Sequence, residues 1–180
     1  MNYFTNNYQF KVSKEKMWKA YRDHLVEIGN HISFVHQIEV VSREEKNDET
    51  LVTNIWDTSG QIPGGIKNFL PESLFKYTDV AKWDNKNYLL HFEDSPAGGS
   101  NIYKINGKAQ FEGDQNETQI TQNIEIELNI LDNLPALQKL PSFMRQKIIE
   151  QINKYFMNEA KKNLKTIINE VYRYALSSSL

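Results

Sequence analysis

Two neighbouring segments near the middle of the chain leave little choice of architecture. From Tyr103 to Glu112 the residues alternate strictly, with Tyr103, Ile105, Gly107, Ala109 and Phe111 on one side and Lys104, Asn106, Lys108, Gln110 and Glu112 on the other. After the turn Gly113-Asp-Gln-Asn116 the alternation resumes, and Ile120, Gln122, Ile124, Ile126, Leu128 and Ile130 share a face. Side chains of a strand point alternately to opposite faces, so this period describes two antiparallel strands with one wet and one apolar surface. The apolar surface needs a cover. Beyond Pro135 and Pro141 no Gly or Pro occurs from Ser142 to Leu180, and Ile148, Ile152, Phe156, Ala160, Leu164, Ile167, Ile168, Val171, Tyr174 and Ala175 recur at helical spacing. The segment reads as an amphipathic helix, roughly 30 residues long or broken once near Asn153 to Asn158.

The rest of the chain supplies more of the same sheet. Tyr8, Phe10 and Val12 alternate in a strand ended by Ser13, which caps a helix carrying Met17, Trp18 and Tyr21; a short turn near Leu25 and Ile28 follows and stops at Gly29-Asn30. Phe34 to Arg43 and Leu51 to Thr58 form a hairpin across a polar connection, and Leu74 to Trp83 and Tyr88 to Glu93 form another around Asp84-Asn-Lys-Asn87. In the first strand of that second hairpin, the aromatic row Phe75, Tyr77, Ala81 and Trp83 is expected inside. Ser59-Gly60-Gln-Ile-Pro-Gly-Gly65, followed by Ile66, Phe69 and Leu70, combines backbone freedom with apolar side chains; it reads as a lid over an apolar ligand or as a plug at the edge of the core.

Composition narrows the function. A chain of 180 residues fits a single domain spanning 1–180. The absence of cysteine removes disulfides, thiolate nucleophiles and Cys-bound zinc, and with no apolar segment of membrane-spanning length the expected location is cytoplasmic. A net charge of -2 argues against binding to a phosphate backbone, so no nucleic acid is expected. Eight Lys and Arg against three Asp and Glu from Lys139 onward leave the last helix basic, which describes a solvated face or a weak contact with an anionic membrane surface. Gly60, Gly64 and Gly65 do not match a phosphate-binding loop, and His24, His31 and His36 lack metal-ligand spacing; neither cofactor nor metal is expected.

One strand, two short helices, about six antiparallel strands and a long terminal helix together resemble the START-like, helix-grip superfamily, which includes the birch pollen allergen family, polyketide cyclases and coenzyme Q-binding proteins. The residues that carry the likeness are Tyr8-Gln-Phe-Lys-Val12 with Ser13-Lys-Glu-Lys-Met-Trp18, and Leu140-Pro-Ser-Phe-Met144 with Asn158-Glu-Ala-Lys-Lys-Asn-Leu164. The resemblance covers almost the whole chain. It implies an α+β fold in which a curved antiparallel sheet wraps a long C-terminal helix, and it contains no catalytic motif.

Such a fold encloses either a filled core or a cavity. Gly107 and Ala109 leave space in the middle of an inward row, or mark a bend or a close approach of the helix. Gln122 interrupts an apolar row and is the leading candidate for a polar ligand contact, the alternative being an amide satisfied by backbone or water. The residues expected to line a ligand site are Trp56, Phe69, Phe75, Tyr77, Phe92, Tyr103, Gly107, Phe111, Gln122 and Phe156. His36 and Asn54 are candidates to orient a ligand or carry a proton, and no residue is assigned as catalytic. Three functions remain open: a binder or carrier of a lipid, quinone or polyketide-like molecule, a cyclase- or dehydratase-like enzyme, and a protein-interaction module with a filled core.

Overall fold

The computed structural model describes residues 2–58, 72–130 and 134–180. The chain runs β1 (Asn2–Phe10), α1 (Lys14–Asp23), α2 (Leu25–Gly29), β2 (Gln37–Lys46), β3 (Glu49–Asp57), a 3-10 turn (Glu72–Phe75), β4 (Lys76–Asp84), β5 (Leu89–Pro96), β6 (Tyr103–Gly113), β7 (Thr118–Leu128), α3 (Pro135–Gln138) and α4 (Ser142–Ser177). Among the described residues the seven strands form one antiparallel sheet in the order β1-β7-β6-β5-β4-β3-β2. Strands β2 to β7 follow one another as hairpins, and β1 closes the far edge by pairing with β7, Tyr8 opposite Ile120. Helices α1 and α2 therefore carry the chain from one edge of the sheet to the other.

Local chemistry explains where the elements begin and end. The Ser13 hydroxyl accepts the Lys16 amide at 3.2 Å and caps α1, whose Met17, Trp18, Ala20 and Tyr21 turn inward. Asn47 turns the β2–β3 hairpin with a left-handed φ of 54°, a conformation that asparagine tolerates better than most residues. Strand β1 is longer than its apolar alternation suggested, because Asn6 occupies an inward position between Phe4 and Tyr8 and interrupts the hydrophobic signal. Val12 lies beyond the strand end. Helix α4 runs 36 residues without the break expected near Asn153 to Asn158. An asparagine costs a helix interior only about 0.7 kcal/mol against alanine, and burial of Ile152, Ile167, Ile168, Val171 and Ala175 on one face outweighs it. No described helix is long and apolar enough to cross a membrane.

The inward rows of the sheet and α4 enclose two apolar clusters. The larger centres on Trp18, which meets Trp83, Tyr88 and Phe111 edge-on at ring-centroid distances of 4.9, 5.4 and 5.2 Å. The smaller gathers Leu74, Ile102, Tyr103, Ile130, Leu134, Leu137 and Ile152. Gly107 belongs to neither void nor bulge. It faces Phe92 across the β5–β6 pair, and a Cβ placed on it would lie 2.0 Å from the Phe92 ring. The space expected at Gly107 is thus filled by an aromatic ring laid over the glycine. Gly107→Ala should displace that ring and destabilise the protein by about 1–3 kcal/mol, measured as a lower midpoint of urea unfolding.

Candidate functional site

Strands β3, β4 and β5 place side chains of mixed character on the inner face of the sheet. On β3 the row is Thr50, Val52, Asn54 and Trp56; on β4 it is Tyr77, Asp79, Ala81 and Trp83; on β5 it is Leu90, Phe92 and Asp94. Asp79 and Asp94 face each other across the β4–β5 pair and are hydrogen-bonded together. Asp79 is only 7% exposed. Its Oδ2 accepts hydrogen bonds from Asn54 Nδ2 at 3.1 Å and Trp56 Nε1 at 3.4 Å.

Two cavities adjoin at Asp94. One, of about 80 Å3, is bounded by Tyr21, Asn54, Trp56, Asp79, Trp83 and Phe92 and closed on the helix side by Leu164 and Ile167 of α4. The other, of about 110 Å3, lies among Phe34, Leu74, Phe75, Tyr103, Tyr155 and Phe156. Tyr77 and Asp94 line both. Each cavity exceeds the roughly 10–15 Å3 that one water molecule requires. The first opens beside Arg22, Asp23 and Arg43, where Asp23 bridges both arginines at 2.7 Å.

The electrostatics follow from burial. Loss of solvation raises the pKa of both carboxyl groups, and for Asp94 the adjacent Asp79 charge and the hydrogen bond to it add to the effect. The hydrogen bonds from Asn54 and Trp56 pull the other way at Asp79. Burial and mutual repulsion make the pair as a whole harder to ionise than two free carboxyl groups, which favours one proton shared between them. Burial, followed by these same two acids, keeps the Tyr21 and Tyr77 hydroxyls protonated well above pH 10. The arrangement offers two coupled carboxyl groups and phenolic donors inside an aromatic enclosure.

Solved structures share this architecture. A protein of Thermus thermophilus superposes with a TM-score of 0.64 at 14% identity, over 99% of this chain and 100% of its own. An aromatase/cyclase from a Streptomyces species superposes with a TM-score of 0.63 at 12% identity, over 99% and 98%. Norcoclaurine synthase from Thalictrum flavum, in complex with dopamine and hydroxybenzaldehyde, gives 0.62 at 10% identity, over 99% and 88%. The chain has the START-like, helix-grip fold. No family model matches the sequence, and no curated protein matches it by sequence.

In this helix-grip chain the expected site residues divide into groups. Trp56 and Phe92 line the first cavity, Phe75, Tyr103 and Phe156 the second, and Tyr77 both. Phe75 does so from the 3-10 turn ahead of β4. The Tyr103 hydroxyl is committed to the Leu74 carbonyl at 3.1 Å. Gly107, Phe111 and Gln122 line neither of these cavities: Gly107 lies under the Phe92 ring, and Phe111 is packed on Trp18. Gln122 does point inward, 1% exposed, with its Oε1 left without a hydrogen-bond partner among the described residues, but three strands away from Asp79. Phe69 and the greasy loop around it lie outside the described residues. Asn54 reaches the site and binds Asp79; His36 is exposed and precedes β2, which begins at Gln37, three residues later than the expected start at Phe34.

The sequence reading passed over Asp79 and Asp94. Strand parity carried the signal: Asp79 sits between Tyr77 and Ala81 in the favoured inward row, and Asp94 lies two residues after Phe92. The pair also makes a thermodynamic prediction. Native aspartates with raised pKa hold their protons to higher pH than the unfolded chain does, so their contribution is full below the ordinary value of 3.8 and is lost as pH rises through the native value. Asp94→Asn keeps a donor toward Asp79 without needing a proton. It should stabilise the protein increasingly from pH 4 to pH 8, by about 1–3 kcal/mol at the upper end, read as Tm across that range.

Proposed function

We propose that this protein binds a hydrophobic small molecule, of lipid, quinone or polyketide-like size and character, between the sheet and α4. The observation that carries the reading is the pair of adjoining cavities walled by Trp56, Tyr77, Phe75, Tyr103 and Phe156 and joined at Tyr77 and Asp94. Concave, largely apolar enclosures with a few convergent polar groups are the usual form of a small-molecule site. The fold similarity supports the reading, since the solved relatives include an aromatase/cyclase and a synthase with small aromatic molecules bound.

A second reading is catalytic, and the Asp79–Asp94 pair favours it. A carboxylate beside a carboxylic acid can accept a proton from one atom of a bound molecule and return one to another, as cyclisation or dehydration requires. Under that reading Asp94→Asn removes turnover and leaves binding of the molecule in place. Under the carrier reading no turnover exists to lose.

Native mass spectrometry of the purified protein, beside the same sample denatured and extracted with organic solvent, tests the proposal. A stoichiometric co-purifying hydrophobic molecule is the expected result. A clean apo mass with no uptake from a lipid and quinone mixture would overturn it.

A further inference from the structure

The first cavity holds two facing carboxyl groups that no cation among the described residues neutralises. Among the described residues no Lys, Arg or His forms an ion pair with Asp79 or Asp94; the nearby cations are spent elsewhere, Arg22 and Arg43 on Asp23, Lys76 on Asp57 and Lys104 on Glu93. A carboxylate withdrawn from water and left without a countercharge is costly, and sharing a proton with Asp94 removes one charge of the two but not the other. Tyr21 adds an independent sign of a missing ligand. It is 7% exposed, lines the same cavity, and its hydroxyl has no hydrogen-bond partner among the described residues.

The walls are suited to a cation. Trp56 and Tyr77, stacked on each other at 5.7 Å with an interplanar angle of 11°, and Tyr21 and Trp83, edge-on at 5.2 Å, all line the cavity that Asp79 enters. The negative faces of aromatic rings attract ammonium groups, most strongly where water is excluded. At about 80 Å3 this compartment suits a head group; the adjoining space of about 110 Å3 among Phe34, Leu74, Phe75, Tyr103 and Phe156 suits an apolar body.

We infer that the ligand of this protein is an amphipathic amine, whose ammonium group is held by the Asp79–Asp94 pair within Tyr21, Trp56, Tyr77 and Trp83 and whose apolar part lies in the second cavity. The inference rests on the proposed small-molecule site and names the class of its ligand. The same charge disfavours carboxylates and phosphates, which would bring a second anion to an already buried one.

The test uses three probes of matched shape, 4-phenylbutylamine, 4-phenylbutanol and 4-phenylbutyrate, titrated against the full chain by calorimetry, with tryptophan fluorescence reporting on Trp56 and Trp83. The amine should bind at least tenfold more tightly than the alcohol, and the acid most weakly. In the double variant Asp79→Asn/Asp94→Asn the preference for the amine should collapse to within twofold, while Glu112→Gln, which removes an exposed acid from the outer face of β6, should preserve it. If the alcohol binds as well as the amine, or the double variant keeps the preference, the ammonium assignment is wrong and the apolar site stands. If none of the three binds, the amine assignment falls, and uptake from the lipid and quinone mixture decides the apolar site. Should the double variant fail to fold by circular dichroism, the amine-to-alcohol ratio of the unaltered protein decides alone.

Discussion

An antiparallel sheet with one apolar face must be covered along its whole width, and here one helix supplies most of the cover. Helix α4 crosses the inner rows of the sheet and closes them unevenly. Toward its C-terminal end Ile168, Val171 and Ala175 are fully buried in the cluster that holds Trp18, Phe111 and Ile120. Toward its middle the helix presents Phe156, Ala160 and Asn163 to strands bearing Tyr77, Asp94 and Tyr103, and there the surfaces do not fill one another. The cavities exist because a rigid helix cannot follow the sheet equally closely at both ends, and side-chain volume decides which end is tight.

Placing two carboxyl groups at the junction of those cavities opposes stability. Their burial raises the free energy of the ionised forms, and the fold tolerates them through a shared proton and the donors Asn54 and Trp56. Apolar residues of similar size at both positions would satisfy the same packing without that cost. Groups that are expensive to the folded state and cheap to replace are those for which a binding or chemical role is the natural explanation. The aromatic rings around them lower the local polarity and so strengthen every electrostatic contact an incoming molecule would make.

Much of the architecture was legible because it rests on periodicity. The alternation through β6 and β7, the serine cap of α1 and the helical spacing of α4 each follow from one residue's relation to its near neighbours. Misreadings arose where a polar side chain held an inward position. Asn6 shortened the apparent β1, and Asp79 was passed over between Tyr77 and Ala81, although the same parity that turned those two inward turned it inward as well. Gly107 shows the opposite failure: a small residue suggested space, but whether a glycine leaves a hole depends on the ring across the strand.

The sequence by itself determined which residues face inward along each strand, where the helices start, and that a long amphipathic helix must lie over the sheet, since all of these are set by local geometry with periods of 2 and 3.6 residues. The tertiary structure alone decided that Phe92 covers Gly107, that the core parts into cavities on one side of Trp18, and that Asp79 meets Asp94. The last of these depends on the β4–β5 register set through the hairpin between Asp84 and Leu89; a slip of one residue would have turned one of the two acids to the outer face. Pairing, volume and charge balance are properties of residues distant in the chain, and only their relative placement in three dimensions gives them values.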